Sequence, residues 1–154
     1  VTLFLVVGPP AGGKSTWVGA HAKPGDITVD YDALANVLSP GDSDRHDHSA
    51  EVKAVTKACR QAAIDTAVGM RDRTDVYVIH STPSKETLHK YLRQGAQVIV
   101  VDPGCDVVFD RARHSRPGWM HGAIKRWYDE TSKYVEEANL ASVPSESTWA
   151  VPSW

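Results

Sequence analysis

Cysteine is scarce in this chain, long apolar runs are missing, and neither sign of charge dominates. The two cysteines, Cys59 and Cys105, form no metal-binding pattern. So low a cysteine content fits a reduced, cytoplasmic protein. No apolar run approaches the ~20 residues that span a bilayer, which argues against a membrane partner. The opening run "TLFLVV" is too short for a signal-peptide core and lacks a basic flank. The net charge of -2 argues against strong non-specific binding to nucleic acid and leaves room for a local basic site. What remains is an ordinary globular composition, 42% hydrophobic and 23% charged over 154 residues. That length suits one domain around one core, and it carries no information on oligomeric state.

Against this plain background one stretch stands out. "GPPAGGKST", Gly8 to Thr16, directly follows the apolar run "VTLFLVV". Gly8, four residues, then Gly13, Lys14 and Ser15 is the complete Walker A spacing. Glycines let successive backbone N–H groups turn toward one point. Such a nest at a helix N-terminus binds phosphate. Lys14, in an exposed loop, would reach the outer phosphates, and the Ser15 hydroxyl would ligand Mg²⁺. Gly8, Pro9, Pro10, Ala11, Gly12, Gly13, Lys14, Ser15 and Thr16 are therefore the candidate nucleotide-binding residues. The plainer alternative is a strand-to-helix turn with a chance lysine.

Four β-rich runs alternate with helical patterns. The runs are Thr2–Val7, Ile27–Val29, Val76–His80 and Val98–Val101. The first and last are continuous Val/Ile/Leu/Phe stretches, as in parallel strands buried on both faces. Helices are expected over Lys14–His21, Asp32–Leu38, Glu51 to about Arg71, Ser84–Gln94, Asp106–His114 and Trp119–Asn139. In the third, Val52, Val55, Cys59, Ala62, Thr66 and Met70 recur at helical spacing. In the last, Ala123, Trp127, Thr131, Tyr134 and Ala138 share a face. The alternation predicts an α/β sandwich on a parallel sheet. Ser39–Ser49 is a polar loop. The Ser/Pro-rich tail from Ala141 reads as irregular, with Trp149, Val151 and Trp154 able to pack back on the body.

Two further clusters carry chemistry. "VDYD" places Asp30 and Asp32 just past the second strand, at the sheet edge where the first strand delivers the phosphate loop. Transfer of a phosphoryl group to an alcohol needs a carboxylate to orient the hydroxyl and take its proton. Asp32 as a simple helix N-cap, with Asp30 solvated, is the alternative. With no Walker B aspartate after the third strand, which ends in His80, Mg²⁺ would rest on Ser15, water and Asp30. In "RARHSRPGW", Arg111, Arg113 and Arg116 crowd six residues beyond the fourth strand. They read as an arginine-rich lid that stabilises charge on a transferring phosphoryl group, or as a solvated basic face. His46, Asp47 and His48 read as a surface loop, a substrate-contacting loop being the alternative. Trp17 reads as core rather than as a base-stacking residue.

"GPPAGGKST", "VDYDAL" and "RARHSR" together resemble the P-loop kinases that include the bacteriophage-type 5′-hydroxyl polynucleotide kinases. Zeta-toxin-like small-molecule kinases are similar. The resemblance covers the chain to about residue 139, so 1–139 is expected as the kinase domain and 140–154 as a tail. It implies a P-loop three-layer α/β/α sandwich of about four parallel strands, order 2-3-1-4, with an Arg-rich lid. It implies ATP or GTP with Mg²⁺, held by the Walker A residues and Arg111, with Ser15 and Asp30 on the metal. Lys14, Asp32 or Asp30, Arg113 and Arg116 would be catalytic. Matching Leu34 to the family's apolar position puts the general base on Asp32. Matching the strand end puts it on Asp30. The family's acceptor-contacting arginine falls at Ala35, so Arg45 or Lys125 would have to substitute. The expected acceptor is the 5′-OH end of a polynucleotide. A nucleoside, sugar or other small molecule is the alternative, as is a nucleotide-driven switch with no acceptor.

Overall fold

The computed structural model describes residues 1–41 and 47–142. The tail from 143 and residues 42–46 of the polar loop, with Arg45 and His46, lie outside the described residues. Four strands form one parallel sheet: β1 (Leu3–Val7), β2 (Ile27–Val29), β3 (Val76–Ile79) and β4 (Gln97–Val100). Their order is β2-β3-β1-β4. Leu5 of β1 pairs with Val78 of β3 and with Val98 of β4, so three apolar strands stack in register at the centre. Each strand lies within a residue or so of its predicted run, the usual uncertainty of element ends.

Alternation along β1 explains the layers. Leu3, Leu5 and Val7 point to one face and join a core with Val29, Ile64, Val68, Leu88, Tyr91 and Val135. Apart from Val29 on β2, those partners come from α3 (Ala50–Val68), α4 (Lys85–Arg93) and α7 (Ser132–Ser142). Val6 points the other way, to Val18 of α1 (Lys14–His21), Tyr77 and Ile79. On that thinner side Phe4 stacks on Tyr77 with ring centroids 4.7 Å apart. A third cluster, Val108, Ala112, Met120 and Ile124, joins α5 (Cys105–Ser115) to α6 (Met120–Arg126). Beside β2 runs α2 (Tyr31–Leu38). The layers are those of a P-loop α/β/α sandwich.

Two helices differ from their sequence patterns. On α3 the expected stripe is largely outward: Val55 is 51% exposed and Cys59 is exposed. The inward stripe is Thr56, Arg60, Ile64, Ala67 and Val68, with a charged residue in its midst. Expected as one helix, residues 119–139 contain a π-turn at Trp127–Thr131 between α6 and α7. Trp127 is fully buried there and its Nε1 donates to Ser81 O at 3.1 Å. Tyr134 OH donates to Pro83 O at 2.7 Å. Both anchors hold the helix on the loop after β3, and the wider turn lets Trp127, Thr131 and Val135 all face inward. The helix ends three residues past the expected domain limit. There Asn139 Nδ2 donates to Val98 O and Ser142 Oγ accepts from Val98 N, covering an edge strand that would otherwise be open.

Candidate functional site

The loop between β1 and α1 is a tight cradle. Gly12 N donates to Pro9 O at 3.0 Å, closing a turn. Ala11 and Gly13 both have positive φ, 61° and 89°, which swings neighbouring amides inward. Gly8 and Gly12 serve a different purpose from the expected positive φ. A Cβ on Gly8 would lie 2.1 Å from Val101 O, and one on Gly12 2.8 Å from Pro9 O. These glycines are needed for close approach, because the loop runs against the end of β4.

Lys14 departs from expectation too. It is 8% exposed, and its Nζ donates to Gly8 O at 3.1 Å and Pro9 O at 2.7 Å. Burial pushes its pKa down to about 8, Arg116 adds to that, and Asp30 and Asp32 pull it back up. An ammonium folded under its own loop in this way is positioned to meet incoming phosphate oxygens.

Asp30 and Asp32 divide the work. Asp30 is the N-cap of α2, accepting from Asp32 N at 3.1 Å through Oδ1. Its Oδ2 accepts from Ser15 Oγ at 2.6 Å. The cap that the alternative reading put on Asp32 is on Asp30, and Asp30 is tied to the serine of the phosphate loop. A hydroxyl and a carboxylate oxygen in contact are the hard oxygen donors that Mg²⁺ prefers, so these residues fit the expected ion. Among the described residues no cluster of three or more His, Cys, Asp or Glu could hold a metal. His46 lies outside them, and His48 faces the cleft described next.

Two clefts flank the phosphate loop. The β2-side cleft, about 500 Å³, takes in Lys14, Ser15, Asp30 and Asp32. Arg60, His80, Ser81 and Thr82 line its inner part, and Lys53, Trp119, Met120 and Ala123 also border it. The β4-side cleft, about 820 Å³, lies between α1 and α5. Trp17, His21, Asp102, Pro103 and Arg111 line it. Trp17 is half-buried and stacks on His21 at 3.9 Å, so it is both packed and presented to this cleft. Ala11, Gly12, Gly13, Thr16 and Arg116 border both.

The arginine cluster is split by helix geometry. Arg111 on α5 reaches back, its Nη1 3.4 Å from Ala11 O. Arg116, just past the helix, borders both clefts. Arg113, two residues from Arg111 and so on another face, is exposed and lines neither cleft. Lys125, the expected substitute cation, is likewise exposed and outside both linings.

A family model described as an AAA domain matches residues 3–125, from β1 through most of α6. The chain belongs to the AAA domain family. With its phosphate loop it is a P-loop nucleotide-binding domain. A solved structure of the Deinococcus radiodurans tunicamycin resistance protein aligns at 15% identity over 91% of this chain and 94% of its own, with a TM-score of 0.43. No match is found among curated proteins. Among the described residues no helix of this AAA domain is long and apolar enough to cross a membrane.

Sequence reasoning passed over Arg60 and Lys53. The signal for Arg60 was its place four residues after Thr56 and four before Ile64, both buried. His80 was noticed only as the residue where an aspartate was expected. Burial, Arg60 and Lys14 together push its pKa down to about 4, so it is neutral near pH 7.

Proposed function

We propose that this domain is a Mg²⁺- and nucleotide-dependent kinase that phosphorylates a hydroxyl of a small molecule. The observation that carries this is the meeting of two clefts at one phosphate loop, with Asp30 and Asp32 on only one side. The β4-side cleft then takes the nucleoside, with the Trp17–His21 pair and Arg111 along its walls. The β2-side cleft takes the acceptor. Its volume of about 500 Å³ suits a small molecule. The helix cations that a polynucleotide strand would follow, Lys125 and Arg126, do not line it.

The chemistry follows from position. Ser15 and Asp30 would hold Mg²⁺, which would neutralise phosphate charge. Asp32 accepts the proton of the acceptor hydroxyl as that oxygen bonds to the γ-phosphorus. The bond from the γ-phosphorus to the β–γ bridging oxygen breaks, and the nucleoside diphosphate departs. Lys14, held under the loop, and Arg116, at the border of both clefts, stabilise charge on the phosphoryl group in flight. Arg116 and Trp119 sit on the short turn between α5 and α6 and form the lid part of the arrangement. The test is transfer of labelled γ-phosphate to sugars, nucleosides, their phosphates and 5′-OH oligonucleotides. Transfer to a small molecule supports the reading. Transfer confined to oligonucleotides, or hydrolysis without any acceptor, overturns it.

A further inference from the structure

Two cations of α3, Arg60 and Lys53, line the β2-side cleft, and neither pairs with a carboxylate of the described residues. Arg60 sits in the inward stripe of α3, and Nη2 donates to Ile79 O at 2.9 Å. That bond brings the guanidinium to the carboxyl end of β3, where the sheet presents its functional groups. Its Nε is buried without a hydrogen-bond partner, as is Nδ1 of His80 beside it in the lining. No carboxylate of the described residues lies within ion-pair distance of Arg60. An Nε–H is only a donor, so a buried one calls for an oxygen from elsewhere. His80, neutral, can present Nδ1–H to the same oxygen. Lys53, about two turns nearer the N-terminus of α3, adds an exposed ammonium to the same cleft.

Asp30 and Lys14 do not explain this cluster. Asp30 serves Ser15 and the α2 cap, and Lys14 is held under the loop. Across the cleft Met120, Ala123 and Trp119 offer a less polar wall. An occupant with one charged end and one less polar body fits between.

We infer that the acceptor is an anionic hydroxyl compound, a phosphate- or carboxylate-bearing alcohol, whose anion is held by Arg60 and Lys53 with His80 donating beside them. This rests on the kinase reading for the reaction, while the anion site itself stands on the geometry alone.

The test has two arms. In the first, the nucleotide side is saturated with Mg²⁺ and a non-hydrolysable ATP analogue, and inorganic phosphate is titrated by calorimetry. Saturable binding is expected, weakened at least tenfold by Lys53→Glu and by Arg60→Gln and left unchanged by Lys125→Glu. Lys53 is exposed, so its variant folds even where Arg60→Gln does not. No binding, or binding indifferent to Lys53→Glu, overturns the inference. In the second arm, acceptors are offered in pairs: glucose with glucose 6-phosphate, glucose with gluconate, glycerol with glycerol 3-phosphate. The charged members should show kcat/KM at least tenfold higher, and which pair responds separates phosphate from carboxylate. Equal use of neutral members overturns the inference and leaves the kinase reading intact. Phosphate binding with no transfer to any member overturns the kinase reading and leaves the anion site in place.

Discussion

Replacing Lys14 with methionine separates the lysine's role in function from its effect on stability. The methionine keeps the apolar stem and removes the ammonium. Burial lowers the Lys14 pKa from 10.5 to about 8. At about 1.4 kcal/mol per tenfold change in the protonation equilibrium, holding the charge in the nucleotide-free fold costs roughly 3 kcal/mol at pH 7. The unfolded chain binds more protons than the folded one between pH 8 and 10.5. Stability from this group therefore rises with pH across that window, and below it the full cost is present. Methionine also loses two hydrogen bonds from a charged donor to loop carbonyls, each worth about 1.5–3 kcal/mol. At the lower end of that range the two effects offset, which leaves the Lys14→Met protein close to the parent in stability at pH 7, with phosphoryl transfer abolished. Urea unfolding at pH 7 and pH 9.5 checks this. The parent should gain stability between the two values and the variant should not. Above pH 10 the comparison ends, because buried Tyr77 and Tyr91 have raised pKa values and lower stability as pH climbs. A variant with the same pH response as the parent would refute the account of a buried ammonium.

The two aspartates should separate in kinetics. Asp32→Asn should cut transfer by ~10²–10⁴, the range for a lost general base, with nucleotide affinity unchanged; Asp30→Asn should instead weaken Mg²⁺-dependent nucleotide binding, measured by titration with and without the metal. If Asp30→Asn spares metal-dependent binding and is the more damaging to transfer, the base is Asp30. Gly8→Ala and Gly19→Ala should have opposite signs. The first drives a Cβ against Val101 O and should cost at least ~2 kcal/mol, while the second meets nothing within 4 Å on an exposed helix and should gain roughly 0.5–1 kcal/mol, both read from urea midpoints. Arg116→Ala should reduce kcat by about 10²-fold or more and Arg113→Ala by no more than a few-fold; equal losses would put Arg113 in the site after all.

The chain's local chemistry was legible in its order of residues. The phosphate loop, the four strands and the start of α4 at Ser84 each depend on neighbours a few positions apart. Spacing carries that information, since φ, ψ and cap geometry are local. The order of the strands followed from the resemblance to P-loop kinases, and the sheet agrees with it. The pair Asp30 and Asp32 was visible as a pair, but their division was not. Which one caps α2 turns on where the helix begins, a matter of one or two residues that a spacing argument does not fix.

What the tertiary structure alone decided is the rotation of each helix and what its faces meet. On α3 the hydropathy pattern favoured Val55 and Cys59, yet the inward face carries Thr56 and Arg60. An arginine adds nothing to an apolar stripe, so periodicity passed over it. It is inward because the carbonyl of Ile79 accepts its proton there. Arg113 and Arg116 looked equivalent in sequence, but α5 ends between them and only the second reaches the clefts. Lys14 was expected in an exposed loop, and its burial was not legible, because desolvation depends on what covers a residue. Local spacing wrote the phosphate loop into the sequence; long-range packing, which sums over residues far apart in the chain, set the cleft beside it.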